Sequence, residues 1–286
     1  EAPSDRQGWE VVDVRAAALN QHDLWSLRGV GLKEDQLPMV LGCDAAGVTA
    51  DGREVIVHAV VGALPTKGTP EGTEPRSILS ERYPGTLAEQ VAVPSTNLVD
   101  KPAWLTWPEA ACLPTAWLTA HRAIFRTGGA EHGDVLLVQG AGGGVATAAI
   151  VLGVAAGLDV HVTSRSAERR ERAQQMGATA HEPGARLPVR ADVVLESVGK
   201  ATWAHSVASV RAGGAIVVVG SGRVETDQLE QTLEALESVN GRVLGVILNS
   251  APKLPGAQYV RYSYEYSLPE VATRREMRRA RRTEPV

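Results

Sequence analysis

Cysteine is scarce in this chain: Cys43 and Cys112 are the only two in 286 residues. Two cysteines cannot build a disulfide framework or a four-cysteine zinc site. Sparse cysteine suits a reducing, cytoplasmic setting. Long apolar runs are also missing, since no stretch reaches the roughly 18 residues of a membrane span, and no secretory signal is visible. The net charge of -4 lacks the basic excess that gives general affinity for nucleic acid or anionic membranes. The expected partner is therefore a small-molecule substrate, with no nucleic acid and no membrane. An initiator methionine is absent as well, so the first domain is expected to be N-terminally incomplete. What is present is ordinary globular material, 44% hydrophobic and 22% charged, and long enough for two domains.

The most informative stretch runs from Asp134 to Arg165. Val135 to Val138 is a short continuous apolar run, as in a parallel strand buried on both faces. The glycines from Gly140 to Gly144 can turn sharply and leave room for a ligand. Val145 to Ala156 is a small-residue apolar helix, and Val160 to Thr163 is a second strand. This βαβ unit aims free backbone N–H groups and the positive end of a helix dipole at one point, where a pyrophosphate can sit. The register Gly140-x-x-Gly143-x-x-Ala146 departs from a strict Gly-x-Gly-x-x-Gly, which would place glycine at Val145. Gly140, Gly142, Gly143, Gly144 and Val145 are the candidate phosphate cradle, and Val198 and Gly220 close later strands of the same sheet.

In chain order, residues 10 to 20 open with strand-like alternation and Gln21 to Gly29 reads as a short helix. Asp51-Gly52 reads as a hairpin turn. Residues 62 to 85 read as a surface loop, and Gly85 to Pro94 as a strand. After Pro114 the chain turns helical. Glu168 to Met176 is a charged helix closed by Gly177, and strands are expected at Asp192–Val198 and Gly214–Gly220. Strands alternating with helices predict a parallel, doubly wound α/β sheet behind a mostly β first domain.

Several motifs stand in a recognisable order: Ala16-Ala-Ala-Leu-Asn20 with Asp23-Leu-Trp and Arg28-Gly29; Leu41-Gly-Cys-Asp-Ala-Ala-Gly47; Gly85-Thr-Leu-Ala-Glu; Glu109-Ala-Ala-Cys-Leu-Pro-Thr115; and the turn from Gln139 to Thr147. Over about residues 9 to 222 they resemble the medium-chain dehydrogenase/reductase superfamily, most of all its zinc-free, quinone-oxidoreductase-like branch. The resemblance implies a GroES-like β domain (residues 1–105), a Rossmann domain (106–250) and an active site in the cleft between them. Residues 251–286 form an atypical tail. It also implies a homodimer paired through Rossmann sheet edges.

The resemblance also locates candidate site residues. Relatives with catalytic zinc supply Cys, His and Cys at the places of Asn20, Cys43 and Thr115. Only Cys43 can ligate here, with Asp44 beside it as its one helper, and catalytic zinc needs three protein ligands, so no metal is expected. Cys43 reads instead as a small buried apolar residue. The structural-zinc lobe of such relatives needs four close cysteines, and residues 60 to 85 contain none. Asn20, Asp23 and Thr115 are the catalytic candidates. Asn20 would serve as a hydrogen-bond donor and Thr115 would stand on the nicotinamide side. Asp23 reads equally as a helix cap.

An acidic residue at the end of the second Rossmann strand would accept from the ribose 2′-OH of NAD. Here that strand ends Thr163-Ser164-Arg165-Ser166. Arg165, aided by Arg169, suits the 2′-phosphate of NADPH, although a solvated arginine is the plainer reading of Arg169. The expected function is an NADPH-dependent oxidoreductase acting on an activated C=C bond or a quinone. The alternative is a non-catalytic dinucleotide-binding protein, or an inactive truncated or chimeric homologue.

Beyond Gly222 the motifs stop. The stretch Asp227–Asn249, followed by Tyr259, Tyr262, Tyr264 and Tyr266, resembles the end of a bacterial polysaccharide-type tyrosine kinase. The chain has no Gly-x-x-x-x-Gly-Lys-Ser/Thr loop, so no kinase activity follows. The Arg-rich run Thr273–Arg282 reads as a solvated helix end or frayed terminus, with a nucleic-acid or membrane tail as the alternative.

Overall fold

The computed structural model describes residues 6–62 and 76–219. Gly220, the tyrosine cluster and the Arg-rich run lie outside these residues. The chain opens with β1 (Trp9–Ala18), α1 (Gln21–Leu27), β2 (Asp44–Thr49) and β3 (Glu54–Val57). The pair β4 (Val60–Val61) and β5 (Ser77–Ile78) precedes β6 (Gln90–Pro94) and β7 (Leu98–Asp100). Five of these form an antiparallel sheet in the order β6-β1-β2-β3-β7. Asp51 and Gly52 do make the β2–β3 turn, with Gly52 at a φ of +86°. Alternate residues Val12, Ala45, Val55, Val57, Val91 and Val93 point into one core.

The strand expected from Gly85 begins only at Gln90. The N–H groups of Gly85, Thr86 and Leu87 bond instead to the carbonyls of Val40, Gly42 and Leu41. A bend there holds the Val40–Gly42 backbone in place.

A helical connector joins the two sheets. It comprises α2 (Trp107–Ala111), a π-helical turn (Leu113–Trp117), α3 (Leu118–His121) and a second π-helical turn (Arg122–Thr127). Its start is set by Glu109, whose carboxylate accepts from the N–H and hydroxyl of Thr106 at 2.9 and 2.7 Å, a capping arrangement.

The second sheet is parallel. It comprises β8 (Val135–Gln139), α4 (Gly144–Ala155), β9 (Asp159–Thr163), α5 (Ala167–Gln175), β10 (Thr179–His181), β11 (Ala191–Glu196), α6 (Trp203–Ser209) and β12 (Val210–Val218). The strand order is β10-β9-β8-β11-β12. Leu136 and Val138 face one core with α4 and the connector, while Leu137 and Val194 face the other with Leu187. The sheet is therefore covered on both sides, as its continuous apolar strands require. The order reverses between β8 and β11. That switch point opens a crevice at the strands' carboxyl ends, where ligands of such sheets bind. Among the described residues no helix is long and apolar enough to cross a membrane.

Gly47 is pressed against the next strand: a β-carbon there would lie far inside van der Waals contact distance of the Asp13 carbonyl oxygen. The Asp13 carbonyl is sheet backbone and cannot yield cheaply. Gly47→Ala is expected to cost about 1–3 kcal/mol, seen as a lower urea midpoint with unchanged slope; an unshifted midpoint would refute this close approach.

Candidate active site at the Asp44 cluster and the glycine turn

Asp44 opens β2 and is 1% exposed. Thr115 Oγ1 donates to its Oδ1 at 2.5 Å, and Asn20 Nδ2 donates to its Oδ2 at 2.9 Å. The three residues come from β2, the connector and the residue just before α1, so the cluster ties both halves of the fold together. Burial pushes the Asp44 carboxyl up to about 6, with the nearby Asp23 adding to the rise, while the Thr115 and Asn20 donors hold it lower than burial alone would.

Of the two readings of Asp23, its contacts express the cap. One carboxylate oxygen accepts from the Asn20 N–H at 2.7 Å and the other from the Gly42 N–H at 3.1 Å. Asp23 is buried and pins both Asn20 and the Gly42–Asp44 segment. The Thr86 hydroxyl donates to the Asp44 carbonyl at 3.0 Å, a second fastening of the same segment.

Cys43 is fully buried, and its thiol donates to the Leu79 carbonyl at 3.3 Å. Burial raises that thiol to about 12. The remaining zinc-equivalent positions hold an amide, Asn20, and a hydroxyl, Thr115, both already donating to Asp44. This donor set does not fit catalytic zinc. Among the described residues no group of three or more His, Cys, Asp or Glu is placed to hold a metal ion. Asp44 is the residue that sequence reasoning missed as a centre. In the sequence it stood only as a neighbour of Cys43, because its link to Thr115 spans 71 positions.

The glycine turn lies beside this cluster. A β-carbon on Gly144 would stand 3.2 Å from Ala116 Cβ, and one on Gly140 would stand 3.1 Å from Val198 Cγ2. The connector thus approaches the start of α4, and the turn after β11 approaches the first glycine of the turn. Gly142, Gly143 and Gly144 are exposed and Val145 is half-buried. The first N–H groups of α4 have no acceptor within the helix, so they can meet a phosphate. Gly140 and Gly142 have φ of +84° and +94°, a backbone that side-chain-bearing residues rarely adopt.

At the end of β9 the hydroxyl of buried Ser164 accepts from the Ser166 N–H at 3.3 Å. Arg165 is exposed. Arg169 reaches the turn itself: its Nη1 donates to the Ala141 carbonyl at 3.4 Å, and its stem would meet a β-carbon on Gly142 at 2.9 Å. A neighbouring arginine, Arg170, donates back to the Ser164 carbonyl at 2.7 Å and pairs with Glu182.

This arrangement is shared with known proteins. Residues 6–103 match the alcohol dehydrogenase GroES-like domain and residues 144–258 match the zinc-binding dehydrogenase family. A zinc-type alcohol dehydrogenase-like protein of Schizosaccharomyces pombe is 30% identical over 85% of this chain and 77% of its own length. The chain belongs to the medium-chain dehydrogenase/reductase superfamily. The second match runs past Gly222, where the recognisable motifs end. Acryloyl-coenzyme A reductase of Sulfurisphaera tokodaii is 28% identical over 77% of this chain and 72% of its own length. Quinone oxidoreductase of Pongo abelii is 27% identical over 90% and 76%. The crystal structure of an NAD-dependent alcohol dehydrogenase superposes with a TM-score of 0.67 at 27% identity, covering 82% of this chain and 77% of that one. The antiparallel sheet is therefore a GroES-like domain and the parallel sheet a Rossmann domain, in a family of nicotinamide-dinucleotide oxidoreductases.

The Asp44 carboxyl makes stability depend on pH with a definite sign. Unfolded, it loses its proton near 3.8; folded, it keeps it to about 6. The folded state holds more protons between these values, so the contribution is complete below pH 3.8 and lost as pH rises through 6. The gap amounts to roughly 3 kcal/mol. In urea titrations at pH 4 and 7, the stability of wild type relative to Asp44→Asn is expected to fall by about 2–3 kcal/mol on going to the higher pH. A pH-independent difference would contradict the burial argument.

Proposed function

We propose that this protein is an NADPH-dependent oxidoreductase that adds hydride to an activated C=C bond or a quinone without using a metal. The observation that carries the reading is the Asp44 cluster. The positions at which zinc-dependent relatives hold ligands are occupied here by two hydrogen-bond donors locked onto one buried carboxylate. An acryloyl-coenzyme A reductase and a quinone oxidoreductase among the relatives support the same class of acceptor.

Reduced nicotinamide supplies the hydride, and the chain's task is to hold the acceptor and stabilise charge on its oxygen. Asn20 uses one amide hydrogen on Asp44; its second can donate to a substrate carbonyl, where negative charge develops as hydride arrives. Thr115 keeps its hydroxyl hydrogen on Asp44 and, through the contact of Ala116 with Gly144, stands beside the cofactor turn. Asp44 positions both groups and does not itself reach solvent. The N–H groups of Gly144 and Val145 would take the pyrophosphate, with Gly140, Gly142 and Gly143 leaving room for it.

At the ribose, Ser164 and Arg165 follow the second strand where NAD enzymes carry an acid. The absence of that acid and the presence of Arg165, with Arg169 already over the turn, support NADPH. A charge-assisted pair with a 2′-phosphate contributes about 1.5–3 kcal/mol, or about ten- to a hundredfold in affinity. Arg165→Ala is expected to weaken NADPH by that factor and leave NADH nearly unchanged. Ser164→Asp should move preference toward NADH. Fluorescence titration of both cofactors decides the point, and equal losses for both would reject Arg165 as the phosphate reader. Turnover tests the rest: NADPH oxidation with a panel of enones, enoyl thioesters and quinones is expected, and none at all would leave a dinucleotide-binding protein without catalysis.

On metal, elemental analysis is expected to give below about 0.1 zinc per chain, with the melting midpoint unchanged by EDTA, because a structural metal would contribute folding free energy directly. Stoichiometric zinc would overturn the donor-set argument.

A further inference from the structure

At the switch point between β8 and β11, four polar side chains are buried with little or no exposure: Gln139, Thr163, Glu196 and Ser206. Buried polar groups persist only when hydrogen-bonded, and here the bonds form one directed chain. The Gly140 N–H donates to Thr163 Oγ1 at 3.4 Å, and that hydroxyl donates to Gln139 Oε1 at 2.6 Å. Gln139 Nε2 donates to Ser206 Oγ at 3.0 Å, and Ser206 donates to Glu196 Oε2 at 2.6 Å. The other Glu196 oxygen accepts from the N–H groups of Val198 and Gly199 at 2.8 and 2.9 Å, and the Thr202 hydroxyl lies 2.9 Å from both oxygens. Gln139 Nε2 also lies 2.8 Å from His205 Nδ1, so that nitrogen is the acceptor and His205 Nε2 carries the hydrogen, which it gives to the Ala185 carbonyl at 2.9 Å.

Every donor along this chain leads to the Glu196 carboxylate. At one end stands the first residue of the glycine turn; at the other, the Val198–Gly199 turn. Ser197 closes the loop by donating from Oγ to the Gln139 carbonyl at 3.2 Å. These two turns are the walls of the crevice, and they approach so closely that a β-carbon on Gly140 would crowd Val198.

We propose that Glu196 is a positioning residue for the bound dinucleotide: through Ser206, Gln139 and Thr163 it sets the spacing between the glycine turn and the Val198–Gly199 turn that clasp it. The proposal rests on a nicotinamide dinucleotide occupying this crevice, and on neither the choice of NADPH over NADH nor the nature of the acceptor. A carboxylate is required because it alone accepts on both sides; an amide in its place can accept on one oxygen only.

The test compares Glu196→Gln with Asp192→Asn. Asp192 lies near the other end of the same strand, accepting from the Val135 N–H at 2.9 Å and pairing with Arg211, far from the crevice mouth. For wild type and each variant, the NADPH and NADH dissociation constants are read by nicotinamide fluorescence, the melting midpoint by circular dichroism, and amide exchange by mass spectrometry over the peptides containing Gly140–Val145 and Val198–Gly199. Both variants are expected to lower the midpoint. Only Glu196→Gln should weaken both cofactors, by about tenfold or more, and speed exchange in both turns. If Glu196→Gln does not fold, Ser206→Ala cuts the chain by a single oxygen and should weaken both cofactors about threefold with faster exchange at the glycine turn. Wild-type affinity in either folded Glu196 or Ser206 variant, or an equal loss in Asp192→Asn, would overturn the proposal. A wild type that binds neither cofactor would instead sink the occupancy of the crevice on which it rests.

Discussion

A carboxylate taken out of water must either find donors or stay protonated. Asp44 does some of each, and the site is assembled around that compromise. Its two donors arrive from opposite directions, Asn20 from the end of β1 and Thr115 from the connector. Holding Asp44 in place therefore also fixes where the GroES-like domain meets the Rossmann domain. Asp23 and Thr86 are auxiliary to it: they hold the Gly42–Asp44 segment by its backbone, so that the carboxylate presents to its donors in one orientation.

The same logic recurs on the Rossmann side. Glu196 is a second buried carboxylate, fully supplied with donors. One acid joins the GroES-like domain to the connector, and the other lies at the switch point of the parallel sheet. Both are interior, so neither is a surface ornament that drift could discard cheaply; removing one partner of such a group leaves its donors unsatisfied.

Much of this was legible in the sequence, and the limits have physical causes. The glycine turn, its flanking strands and the helix after it are local features, and short-range patterning finds them. Asn20, Asp23 and Thr115 were legible through the order of motifs. The central place of Asp44 was not, because it depends on a contact across 71 positions with Thr115, and such pairings leave no periodic trace. Glu196 was hidden for another reason. It ends the run Asp192-Val-Val-Leu-Glu, where a charged residue after apolar ones reads as a strand emerging into solvent. Only the packing of α6 over it, bringing Ser206 and Thr202, turns it into a buried hub. The late start of β6 at Gln90 has the same origin, since Gly85–Leu87 give their N–H groups to a distant segment in place of a neighbouring strand.

The π-helical turn at Leu113–Trp117 gives the connector an unusual office. Thr115 bonds to Asp44 of one domain, while its immediate successor, Ala116, abuts Gly144 of the other. Adjacent α-carbons are separated by a fixed 3.8 Å. The chain thus carries a one-peptide ruler between the hydrogen-bonding cluster and the start of α4. Length changes in the connector would have to fall on either side of the ruler, because a residue inserted between Thr115 and Ala116 would part the hydrogen-bonding cluster from the start of α4 and leave the two lobes reading different marks.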